Sequence, residues 1–123
     1  MQKERTTSFT NLNSWKEGHK VVLQIYKITR DFPKEEVFGL VSQMRRAAVS
    51  VTSNIAEGFS RKGKNEKGQF YLVSLGSITE LQNQLLVARD VGYIFADKFT
   101  EVANQTVVAH KLVSGLIKSI KNR

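Results

Sequence analysis

The chain has 123 residues, which suits one domain and leaves little room for two. It carries one proline and no cysteine, which is unusual for an all-β or loop-rich chain and excludes a disulfide framework and thiolate metal sites. Nineteen Lys and Arg against eleven Asp and Glu give a net charge of +8 and a pI near 9.9, a balance that bears on solubility and on polyanionic partners rather than on fold.

The opening MQKERTTSFTNLNSW lacks the apolar core of a signal peptide, and with no cysteine present the chain is expected in a reducing cytoplasm. Residues 1 to about 12 read as a flexible arm on a single domain spanning 1–123. The first helix is predicted from about Ser14 to Arg30. Ser14 with Glu17 three residues on has the form of a capping box. Trp15, His19, Val22, Tyr26 and Thr29 share one face, with Ile25 beside them. Asp31-Phe32-Pro33 ends it, because the residue before proline is pushed out of the α region.

The second helix starts just after Pro33, with Glu35 and Glu36 placed where the helix dipole favours acids. Val37, Leu40, Val41, Met44, Ala48, Val51 and Ile55 follow at steps of three and four, and Gly58 is the expected C′ residue. Within this segment AAVSVTSNI (47–55) alternates like a strand, but the helical stripe runs through it and decides for helix.

The third helix is predicted from about Asn65 to Val91, with Gly92 as its stop. Phe70, Val73, Leu81, Leu85 and Ala88 line one face, and Tyr71, Leu75 and Ile78 widen the arc. Gly68 to Ala88 carries one charge, Glu80, and is long enough to span a bilayer. Gln69, Gln82, Asn83 and Gln84 make it too polar for a lone span, so no membrane segment is expected.

The fourth helix begins at Asp97, an N-cap residue type, and keeps its apolar spacing from Phe99 to Ile120. Short connections force antiparallel neighbours, so the predicted fold is all-α, an up-down-up-down four-helix bundle.

GFSRKGKN (58–65) imitates a phosphate-binding loop, with Gly58, Gly63 and Lys64 in place but Asn65 where the magnesium-holding hydroxyl belongs. Such a loop needs a buried strand before it, and a helix is predicted there. His19 and His110 have no carboxylate three residues away, so the paired Glu-x-x-His arrangement of di-iron bundles is absent. The chain is expected to be non-enzymatic, without metal or cofactor.

Two patterns point to surfaces instead. Gln43, Ser50, Asn54 and Glu57 on the second helix, with Ser74, Ser77 and Glu80 on the third, form polar stripes that read either as solvated faces or as an interhelical hydrogen-bonded seam. Bundle order also gathers Lys3, Arg5, Lys16, Lys20, Arg61, Lys62, Lys64, Lys67, Lys118, Lys121 and Arg123 at one pole, against Glu4, Glu17, Glu57 and Glu66. Of these Arg61, Lys62, Lys64, Lys67, Lys118, Lys121 and Arg123 are the candidate nucleic-acid-binding residues. Phosphate contacts from such a pole would be sequence-tolerant and salt-dependent. The alternative reading is a protein scaffold that docks through the charge-poor faces of the third and fourth helices.

Phe32-Pro33 with Glu36, the run QMRRAAVSVTSNIAEG, then GSITEL and GY together resemble the bacterial four helix bundle protein family, also called 23S ribosomal RNA intervening-sequence proteins because some members are encoded inside inserts in ribosomal RNA genes. The resemblance spans about Trp15 to Leu116, and Asn54 to Gly58 is its most specific part. It implies a four-helix bundle that assembles as a homopentamer. In architecture it is similar to the accessory proteins of diversity-generating retroelements, basic pentameric bundles that bind nucleic acid and a reverse transcriptase. A partner such as a nucleic-acid-processing enzyme is therefore expected, and no catalytic residues carry over.

Overall fold

A computed structural model describes residues 8–122. Helices α1 (Asn13–Thr29), α2 (Ser42–Ser60), α3 (Lys64–Asp90) and α4 (Ala96–Lys121) account for most of it, and no strand occurs among the described residues. Helix α1 packs against α2 and α4, and α3 packs against the same two, so α1 and α3 stand diagonally across a square bundle. Cross-helix contacts run in opposite directions along each pair. Arg45 reaches Thr29 while the backbone at Gly18 faces Val51 and Thr52. Ser50 meets Ser77 while Lys67 reaches Phe59. Gln82 bonds Thr106 while Gly68 faces Ile120. The bundle is therefore antiparallel, as expected, with a core that includes Ile25, Met44, Val51, Ile55, Leu81, Leu85, Val102 and Val113. No helix of the described residues is long and apolar enough to cross a membrane.

Several local expectations are corrected. The first helix begins at Asn13 with Leu12 as N-cap, and no capping box forms. Ser14 lies one position inside the helix, where its hydroxyl is buried without a hydrogen-bond partner among the described residues. Glu17 turns instead to Lys20 and Gln105. The inward face of α1 is Ser14, Gly18, Val21, Val22, Ile25 and Thr29, while Tyr26 looks outward. Of the arm expected over about 1–12, residues 1–7 lie outside the described residues. Phe9–Asn11 form a 3-10 turn, and the Phe9 ring stands edge-on to Trp15 at 5.6 Å.

The segment after Pro33 is not one continuous helix. A 3-10 turn (Lys34–Glu36) leads into a wide π turn (Val37–Val41) with Gly39 off helical geometry, and α2 proper starts at Ser42. The Glu36 carboxylate holds this distortion by accepting from the Leu40 amide at 3.2 Å and from the Tyr93 hydroxyl at 2.8 Å. Val37 consequently leaves the apolar stripe and faces solvent, as does its neighbour Phe38. On α3 the inward row is Tyr71, Ser74, Ser77, Ile78, Leu81, Gln84, Leu85 and Ala88, and Val73 points out.

Gly58 is not a C′ residue. It lies in the last turn of α2, where a Cβ would stand 2.5 Å from the Tyr71 ring, so a hydrogen is all that fits between α2 and α3. Gly92 does end α3 in the expected way. At φ 87° it carries a Schellman motif, with the Tyr93 amide bonded to Ala88 and the Gly92 amide to Arg89. The last helix begins one residue ahead of Asp97, with Phe95 as N-cap.

Candidate functional site

Alternation of the helices brings the start of α1, the end of α2, the start of α3 and the end of α4 to one pole. Among the described residues Lys16, Lys20, Arg61, Lys62, Lys64, Lys67, Lys118 and Lys121 belong to these four ends, with Glu17, Glu57 and Glu66. Lys3, Glu4, Arg5 and Arg123 lie outside the described residues.

The candidate residues divide by what they already touch. Arg61 sits between Glu57 at 3.2 Å and Glu66 at 3.8 Å, and its guanidinium lies over the Phe70 ring. Lys67 donates to the carbonyls of Gly58 at 3.2 Å and Phe59 at 2.8 Å, satisfying the end of α2, where the negative end of the helix dipole favours a cation. These two side chains hold the α2–α3 corner together. Lys62, Lys64, Lys118 and Lys121 are exposed. Lys118 and Lys121 occupy the last turn of α4, again the end a cation stabilises.

The acids of this pole are engaged. Glu57 and Glu66 face Arg61, and Glu17 bonds Lys20 at 2.8 Å. Hydrogen bonds from Lys20, and then from Gln105, hold the Glu17 carboxyl below its ordinary pKa. No ion pair involves Lys16, Lys62, Lys118 or Lys121 among the described residues.

The loop GFSRKGKN joins helix to helix. Gly58, Phe59 and Ser60 close α2, and Gly63 is the N-cap of α3. The strand-to-helix turn that aims successive amides at a phosphate is not what this segment builds. His19 is half-buried and stacks on Trp15 at 4.6 Å, and His110 is half-buried in α4.

The polar stripes resolve into a short seam. Ser50 and Ser77 share a hydrogen bond of 2.8 Å across α2 and α3, and the Asn54 amide donates to the Ser50 carbonyl at 2.8 Å and to its hydroxyl at 3.1 Å. Ser74, fully buried, donates to the Val51 carbonyl at 2.8 Å. Gln43, Glu57 and Glu80 stand outside it. Glu57 serves Arg61, and Glu80 accepts from Gln84. The seam thus needs small residues on both helices, so that hydroxyls reach across where larger side chains would hold the backbones apart.

Sequence reasoning missed the clamp made by Arg45. Its guanidinium donates to the Thr29 hydroxyl at 3.0 Å and the Tyr26 carbonyl at 3.4 Å, and it lies over the Tyr26 ring. The only sequence signal was a charge at mid-helix height beside the apolar stripe. The missed bond from Gln105 to Glu17, between α4 and α1, had no signal in spacing at all.

Comparison with known proteins adds the lineage. A solved structure of a protein of unknown function from the S23 ribosomal protein family of Bacteroides thetaiotaomicron superposes with a TM-score of 0.79 at 18% identity, covering 85% of this chain and 95% of that one. At that identity the likeness speaks to the fold. Comparison with the curated proteins gives no match. Residues 10–115 match the 23S rRNA-intervening sequence protein family, which takes in all four helices nearly end to end; the chain belongs to that family.

Proposed function

We propose that the chain is a non-enzymatic, homo-oligomeric protein that binds RNA or DNA through the phosphate backbone, using the pole where α1 and α3 begin and α2 and α4 end. The observation that carries this reading is the state of the charges there. Each acid of the pole among the described residues already has a cationic partner, while Lys62, Lys118 and Lys121 remain exposed without an ion pair. In a cyclic assembly, a pentamer by resemblance, each copy would add the same lysines to one ring.

The test is binding of a labelled single-stranded RNA and of a duplex DNA, measured across salt concentrations, for the wild type and for a K62A/K118A/K121A variant. Arg61 and Lys67 are left intact because they hold the α2–α3 corner. The expected result is weaker binding with a shallower dependence on log salt, by roughly 0.7 to 0.9 for each phosphate that the variant leaves unneutralised. Equal affinity and equal slope would remove this pole as the binding surface.

A second reading, a scaffold for a protein partner, is favoured by one observation. Leu72, Val73, Leu86 and Val87 leave an apolar, nearly uncharged outer face along α3. Capture of a nucleic-acid-processing enzyme that persists after nuclease treatment and at high salt would support it.

A further inference from the structure

We propose that Phe38 is the anchor of a self-association interface and enters the apolar socket between α1 and α4 of a second copy. This rests on the reading of the chain as a homo-oligomer and names the surface that would make it one.

The anchor is an aromatic side chain held out in water. Phe38 is 97% exposed, a large apolar area to leave exposed unless it is covered. Its position is built rather than slack. The wide turn at Val37–Val41 carries it, and Glu36 braces that turn through the Leu40 amide and the Tyr93 hydroxyl. Wide turns of this kind inside helices are frequent at functional sites.

The socket is a cavity of about 320 Å³ lined mainly by apolar side chains, among them Leu23, Ile28, Ile94, Phe95 and Val102. It is roomy enough for a benzyl group. Two large apolar side chains stand exposed at its mouth, Leu23 at 58% and Phe95 at 84%. Arg46 lines the surface beside Phe38, Glu35 precedes Phe38 by three residues, and Lys27 and Asp31 line the socket together with the mutually paired Lys98 and Glu101. Glu35, Arg46, Lys27 and Asp31 have no ion pair within the chain among the described residues, so each sign at one feature has an unpaired opposite at the other.

Placement makes a second copy the fitting occupant. Phe38 precedes α2, at the pole where α1 ends and α4 begins, and the socket lies between those same two helix ends. Anchor and socket therefore sit at one height along the bundle, on the two faces that flank α1. A head-to-tail contact between features at equal height closes into a ring instead of climbing into a filament. Adjacent faces of a square bundle meet at roughly a right angle, which suits a ring of about four or five copies with α1 turned toward its centre.

The experiment measures mass by light scattering and sedimentation for the wild type, F38A and L23E. Both substituted residues are exposed, so each variant is expected to fold, and circular dichroism checks this. The expected result is an assembled wild type and two variants whose half-assembly concentration rises about thirty-fold or more, the loss typical of a central anchor. Mixing the variants supplies the second measurement. F38A keeps a socket and L23E keeps an anchor, so the mixture forms one-to-one heterodimers and no ring. F38A with wild-type assembly, or a mixture without heterodimers, overturns the interface while leaving the oligomer in place. A monomeric wild type overturns both.

Discussion

Replacing Gly58 by alanine probes the packing of the α2–α3 corner directly. In an exposed helix interior the change stabilises by about 1 kcal/mol, because alanine loses less backbone entropy. At Gly58 the added Cβ would stand 2.5 Å and 2.8 Å from two carbons of the Tyr71 ring and 3.2 Å from the Phe70 Cβ. The Tyr71 ring cannot swing away, since it is 2% exposed within the core. Overpacking of this kind costs about 1 to 3 kcal/mol, and the helical gain offsets only part of it. We expect a net loss of up to about 2 kcal/mol, or a Tm lower by up to roughly 10 °C for a domain of this size. Gly76 is the internal control, because a Cβ there meets nothing within 4 Å. Thermal and urea unfolding, both at one fixed protein concentration, should show G58A below the wild type and G76A at or above it. A G58A protein as stable as G76A would mean that α2 and α3 separate without cost, and the argument from close approach would fail.

Two further outcomes follow from the seam and the basic pole. Ser74→Ala removes the buried hydroxyl that donates to the Val51 carbonyl and should cost about 1 kcal/mol in urea unfolding with an unchanged m-value, whereas Thr79→Ala, on the exposed side of α3, should cost less. Glu17 has a folded pKa below its ordinary value, held there by Lys20 and then Gln105. Its contribution is therefore present above the unfolded glutamate pKa and is lost as pH falls through the lower folded one. Between neutral pH and about pH 3 the Tm of the wild type should fall further than that of E17Q, and parallel curves would contradict the assignment.

The element inventory was legible because it depends on short-range facts. A single proline and a glycine with positive φ mark two of the helix ends, and helical spacing in QMRRAAVSVTSNIAEG outweighs the local alternation of AAVSVTSNI. The Ser50–Asn54–Ser77 row was legible as a polar stripe, since small polar residues recur at helical steps on both helices, but spacing left a seam and a solvated face equally open. Gln43, Glu57 and Glu80 share that periodicity but lie outside the seam, because periodicity states which residues share a row and not which row is turned inward.

The amino-acid sequence by itself determined four helices, their alternating order and hence which charged ends share a pole, because turn residues and apolar spacing act within a few residues of each other. Tertiary structure alone decided that Ser74 and Ser77 face inward while Val73 faces out, that Gly58 is a contact point, that Arg45 and Lys67 serve as clamps, and that Phe38 stands in solvent. Those outcomes are set by the fit between two surfaces. A helix with apolar residues on most of its circumference can bury several alternative rows, and the row chosen is the one whose small side chains allow the neighbouring backbone closest approach.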